Sequence, residues 1–183
     1  FFYDLEDSDI SKKLEIIAKL NKKVLVIITY GKEDLSGIET FCELILKHLP
    51  DSEICGLTDG GGISSTEVVE GRVLGTFYLF DSAEIYLEVF RFDISYDEYF
   101  EGLSFGKKFL LRDIKSLICF VSDLNNKYNF NSGAFLQGVH DTLRKPIFGG
   151  VAGDSGRFVK TVVFTKNQII ENGAVFIGLA GRK

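Results

Sequence analysis

The sequence predicts an α/β domain: two similar β-α-β-meander halves whose mixed sheets are flanked by helices in a layered α/β sandwich. Three observations carry this expectation. Short apolar runs rich in Val and Ile recur between turn residues, as strands buried on both faces do. Segments with apolar residues at helical spacing alternate with those runs. A glycine-rich stretch follows the second short strand of each half, at a period of about 95 residues, which is too long for a solenoid and fits two related lobes.

The elements follow in order. After an aromatic, acidic lead-in, Asp7-Ser8-Asp9 can cap a helix whose apolar positions are Ile10, Leu14, Ile17 and Leu20. Val24 to Tyr30 reads as a fully buried strand. A helix is expected from Leu35 to His48, with Phe41, Leu44, Ile45 and Leu49 on its apolar side and Pro50 as its stop. Ser52 to Leu57 is a strand running into Thr58-Asp59-Gly60-Gly61-Gly62, and alternation resumes from Ile63 to Val69. Turns at Glu70-Gly71 and Asp81-Ser82 separate the strands Val73 to Phe80 and Ile85 to Phe90. Tyr96 to Leu111 is expected to be a helix linking the halves, against the helix-weakening tendency of Gly102 and Gly106.

The second half repeats the order. Ser116 to Val121 is a buried strand, Asn125 to Asn131 a polar loop, and Ser132 to Leu143 a helix with Pro146 just beyond it. Ile147 to Gly156 then runs from a short strand into a second glycine-rich loop. Thr161 to Thr165 and Ala174 to Leu179 are the last strands, with a hairpin expected at Glu171-Asn172-Gly173. Leu49 to Gly60 lies over Leu143 to Asp154, so the two glycine loops occupy matching points.

Composition narrows the function. A hydrophobic fraction of 45% supports a sizeable core, and the net charge of −5, without a basic stripe interleaved with aromatics, argues against nucleic acid. No apolar run is long enough to span a bilayer, so no membrane contact is expected of this stretch. Cys42, Cys55 and Cys119 are odd in number and set among apolar neighbours, which reads as buried reduced thiols in a reducing, cytoplasmic compartment. The start at Phe1-Phe2-Tyr3 and the end after Leu179-Ala180-Gly181 read as those of a piece from a longer polypeptide.

Consecutive glycines can leave N–H groups free to form an anion nest, which makes carboxylates and phosphates plausible ligands; tight turns without any ligand are the alternative. With polar residues available to fix a ligand, Thr58, Asp59, Gly60, Gly61, Gly149, Gly150, Gly153, Asp154 and Ser155 form the candidate ligand-binding set. Neither loop precedes a helix, and no GxxxxGK[ST] run occurs, so nucleotide hydrolysis is disfavoured. There is no GxSxG or HExxH. His48 and His140 each fall near a helix C-terminus, where the dipole favours a capping imidazolium. A packed thiol is the reading for Cys55, and no catalytic residue or metal site is assigned.

Two motifs stand out among these residues: Ile54-Cys55-Gly56-Leu57-Thr58-Asp59-Gly60, and Pro146-Ile147-Phe148-Gly149-Gly150-Val151-Ala152-Gly153-Asp154. With Val24 to Thr29 and Gly173 to Gly181, they make the chain resemble a FIST domain, specifically the N-terminal FIST segment of bacterial and archaeal signal-transduction proteins. The second motif matches the family's P-x-x-G-G-x-A-G-D. The first departs from it, with Leu57 where Cys or Ser is common and Asp59-Gly60-Gly61-Gly62 replacing a small residue, Gly and Glu.

The resemblance implies residues 1–23 as lead-in and helix, and 24–183 as the sensory domain, duplicated as 24–92 and 116–181. It implies an intracellular sensor of an amino acid or small carboxylate, not an enzyme and without a cofactor. A C-terminal FIST domain and a signalling output module would be its partners. It also admits a haem-binding nitric-oxide sensor with His140 or His48 as axial ligand; a hydrolase using Thr58 or Cys55 is a third reading, apart from the resemblance.

Overall fold

The computed structural model describes residues 1–63, 68–95, 97–124 and 129–181. Residues 64–67 of the expected alternation, Tyr96 at the expected helix start, and residues 125–128 of the expected polar loop lie outside the described residues.

Twelve strands and four α-helices are described. They run β1 (Phe2–Asp4), α1 (Ile10–Lys19), β2 (Lys23–Tyr30), α2 (Gly37–His48), β3 (Glu53–Thr58), β4 (Gly61–Ile63), β5 (Val68–Glu70), β6 (Val73–Phe80) and β7 (Glu84–Arg91). They continue with α3 (Glu98–Gly106), β8 (Ile114–Ser122), α4 (Ser132–Leu143), β9 (Ile147–Val151), β10 (Val163–Thr165), β11 (Gln168–Ile170) and β12 (Gly173–Ala180). A six-stranded sheet has the order β1-β6-β2-β3-β10-β11, a four-stranded sheet the order β7-β12-β8-β9, and β4-β5 is a separate hairpin.

The two larger sheets pack face to face between helices, so the layered sandwich is formed and a single long sheet is not. Alternation along β2 shows why both faces must be apolar. Val24, Val26, Ile28 and Tyr30 meet α1 and α2 through Leu14, Ile17, Ile38 and Ile45. Leu25 and Ile27 point the other way, to Val175 and Ile177 of the second sheet. On the far side, α3 and α4 cover the second sheet with an aromatic core, in which Phe90 stacks on Phe135 at 4.2 Å and Phe105 packs on Phe176 at 4.8 Å. Offset and tilted ring pairs of this kind add to simple area burial.

Gly102 and Gly138 explain how α3 tolerates glycine. A side chain at either would overlap backbone of the other helix, so the residues that weaken the isolated helix permit its close packing. The linking helix itself is shorter than the periodicity predicts: α3 ends at Gly106 and continues as a 3₁₀ turn over Lys107–Arg112.

Several local expectations are corrected. The aromatic lead-in is a strand, since β1 pairs with β6 antiparallel, Phe2 opposite Thr76. Asp9 makes no side-chain cap for α1; its carboxylate and that of Asp7 hold Lys13 instead, at 3.0 and 2.8 Å. Leu20 is exposed. Glu171-Asn172-Gly173 is not a hairpin, because β11 pairs with β10 while β12 pairs with β7 and β8. The turns at 71–72, 81–83 and 171–172 carry the chain from one sheet to another, and the short tight turns alone do not reveal that.

Candidate functional site

β2 and β3 run parallel, with Tyr30 opposite Thr58 at their carboxyl ends. In open α/β sheets the loops leaving such ends are where ligands collect. Here the loop after β2 brings Lys32 and Glu33 beside Thr58 and Asp59. From the second sheet, the chain leaving β9 crosses to meet them: the Gly153 N–H donates to the Thr58 carbonyl at 2.8 Å. Thr58, Asp59, Gly153 and Asp154, with Lys32, Glu33, Arg157 and Lys160, line a cleft of about 470 Å³.

Each candidate side chain has a definite task. The buried Thr58 is anchored to Val162: its N–H donates to the Val162 carbonyl at 2.9 Å, and the Val162 N–H donates to its Oγ1 at 3.0 Å. Asp59 accepts the N–H of Gly60 at 2.7 Å. Asp154 is the organiser of the second loop. Its carboxylate accepts the N–H groups of Phe158, Val159 and Lys160 at 3.0, 2.7 and 3.2 Å. Those bonds, the one from Val159 foremost, hold its pKa below the usual carboxylate value. The N–H groups gathered here belong to residues 158–160, beyond the glycine-rich run, and the anion they hold is the protein's own Asp154.

Charge in the cleft is mixed and largely paired. Arg157 pairs with Glu33, Lys32 with Glu6 at 2.5 Å, and Lys160 with Glu171 at 2.7 Å. Gly60 and Ser155 touch at the loop junction, where Ser155 Oγ donates to the Gly60 carbonyl at 3.4 Å, and both line an adjoining depression with Lys32 and Glu33. Gly61 lies in β4, while Gly149 and Gly150 lie in β9; none of these three lines the cleft.

The alternatives placed on other residues find less support. His140 is exposed on α4, with its Nδ1 3.5 Å from Asp141. His48 belongs to a separate cleft of about 420 Å³ at the opposite strand ends, lined by Ile17, Val24 and Leu49 as well as by Lys22, Lys23, Asp51 and Ser52. Cys55 is fully buried, and desolvation pushes its thiol well above the ordinary value; Cys42 is pushed up to about 11 for the same reason. Among the described residues, no group of His, Cys, Asp and Glu is arranged to hold a metal ion, and no helix is long and apolar enough to cross a membrane.

Lys32, Glu33, Arg157 and Lys160 were not singled out by sequence motif. The first two could have been found from the rule that loops at parallel-strand carboxyl ends form sites. The last two depend on Asp154 folding the loop back, which no local pattern announces. A family model described as FIST N domain matches residues 24–183. No curated protein matches the chain.

Proposed function

The chain belongs to the FIST N domain family of signal-transduction sensors, and on that premise we propose that it binds an amino acid or small carboxylate in the cleft between the Thr58-Asp59 and Gly153–Lys160 loops. The observation that carries this reading is the cleft's charge. Cations from Arg157, Lys160 and Lys32 face carboxylates from Glu33 and Asp59 in a space of about 470 Å³, within the range of roughly 300–1,000 Å³ typical of small-ligand sites. A ligand carboxylate would take Arg157 from Glu33, and a ligand ammonium would be met by Asp59.

Binding rather than turnover is proposed, because Thr58 Oγ1 is committed to Val162 and the Cys55 thiol is held protonated by burial. The cleft joins loops from both sheets, so a ligand that favours one relative placement of the sheets shifts the equilibrium by its differential affinity. A C-terminal FIST domain and a signalling output module, in the cytoplasm, would read that shift.

The test is a thermal-shift panel of amino acids and small carboxylates, with Arg157→Gln alongside. A ligand at about 100 times its dissociation constant adds roughly 2.7 kcal/mol of stability. A shift for one class, lost in the variant, supports the reading. A flat response across the panel, or a shift that Arg157→Gln leaves intact, overturns it.

A further inference from the structure

We propose that β9 is a self-association edge, through which two copies of this chain pair β9 against β9 antiparallel about a two-fold axis at Gly149. The starting point is a correspondence inside the molecule. The parallel pairs β2-β3 and β8-β9 share one register, so that Ile28 opposite Gly56 is matched by Cys119 opposite Gly149. At the strand ends the Asp59 N–H donates to Tyr30, as the Ala152 N–H does to Val121. Both glycines are required by the neighbouring strand, since a side chain at Gly56 would strike the Ile28 carbonyl and one at Gly149 the Cys119 carbonyl.

The two strands differ on their outer side. β3 is covered by β10, whose residues satisfy it: the Lys166 N–H donates to Ile54 at 3.1 Å and the Thr58 N–H to Val162 at 2.9 Å. On β9 no described strand occupies that side. The Leu117 N–H donates to Pro146 and the Ala152 N–H to Val121, so by the alternation of a parallel ladder Ile147, Gly149 and Val151 turn their N–H and C=O groups outward.

This edge lacks the usual protections against pairing. Its sequence Ile-Phe-Gly-Gly-Val has neither charge nor proline, and Phe148 and Val151 are 62% and 64% exposed. The other edges of the two larger sheets are guarded: β1 and β11 are three residues long, and β7 carries Glu84, Glu88 and Arg91. The edge also complements itself. An axis at Gly149 sets Ile147 opposite Val151 of the second copy and aligns outward donors with outward acceptors, for about six hydrogen bonds. The same register places Phe148 opposite Gly150, where no described atom lies within 4 Å of the missing side chain. Within the chain, Phe164 already fills such a space opposite Gly56. Two four-stranded sheets would join into one of eight.

Sedimentation velocity of the chain across the micromolar range tests this. The expected species has twice the 20.5 kDa chain mass, and Val151→Lys raises the dimer dissociation constant at least tenfold, as a charge facing its own copy does. Because Val151 is exposed, the variant keeps the wild-type melting curve at concentrations where both are monomeric. For register, Phe148→Cys combined with Gly150→Cys forms an intermolecular disulfide under mild oxidation while the three buried native thiols stay reduced. A monomer at all concentrations, a dimer indifferent to Val151→Lys, or a dimer in which the paired cysteines fail to cross-link overturns the proposal.

Discussion

The N–H of Gly153 lies 2.8 Å from the carbonyl oxygen of Thr58, a main-chain bond that ties a loop leaving the second sheet to the end of a strand in the first. Two glycine-rich runs far apart in sequence therefore meet directly. The shape of the cleft beside them depends on how the sheets sit against each other, which gives a ligand there leverage on the whole sandwich.

Thr58 holds this junction through Val162. Replacing it by valine keeps the shape and leaves the buried Val162 N–H without its side-chain acceptor. Thr58→Val is expected to lower the unfolding free energy by about 1–3 kcal/mol, measured by urea titration, with no change in the denaturant slope. A stability equal to wild type would mean that the hydroxyl is not holding the two segments together.

Asp154 organises residues 154–160 through three main-chain hydrogen bonds. In Asp154→Ala, hydrogen exchange of the Phe158, Val159 and Lys160 amides is expected to speed up about tenfold or more. The pH dependence follows from the depressed pKa. The contribution is fully present above the ordinary carboxylate pKa of about 3.9 and is lost as pH falls through the lower value of the folded loop. Wild-type loop protection should therefore collapse only in acid, and the variant should show no such step.

The three thiols are buried, and desolvation raises their pKa values. A thiol-reactive disulfide reagent at neutral pH is expected to label none of them in the native protein and all three once it is unfolded. Rapid labelling of Cys55 in the folded state would revive a nucleophilic role for it.

Gly56 sits opposite Phe164 and beneath its ring. Gly56→Ala pushes a methyl group into that ring and into the Ile28 carbonyl, and is expected to cost about 1–3 kcal/mol by the same urea titration. The effect should shrink when Phe164→Leu is introduced alongside, since removing the ring relieves half of the conflict.

Much of the fold was legible in the chain. The buried strands at Val24 to Tyr30 and Ser116 to Val121 are apolar on successive residues because each lies between helices on one face and a sheet on the other. α2 and α4 show their helical spacing for the complementary reason, one covered face and one wet face. The lead-in strand was hidden because Phe2–Asp4 is short and takes its order from β6. In the site, Thr58, Asp59, Gly153 and Asp154 could be picked out as a polar and glycine-rich set, while Arg157 and Lys160 could not, since Asp154 brings them to the cleft through bonds to the backbone that follows it.

By itself, the sequence determined the class of structure, the order of its elements, and that two glycine-rich loops occupy matching points of the chain. Period-two and helical hydrophobic patterns are local, and burial writes them directly into residue type. Only the tertiary structure decided which strands pair, that β6 and β7 part into different sheets, and that the loops converge. A turn of two or three residues reads the same whether it closes a hairpin or crosses between layers. What separates the two is the partner strand, which can lie anywhere in the chain: β10 pairs with β3 from more than half the chain away, while no described strand covers the outer side of β9.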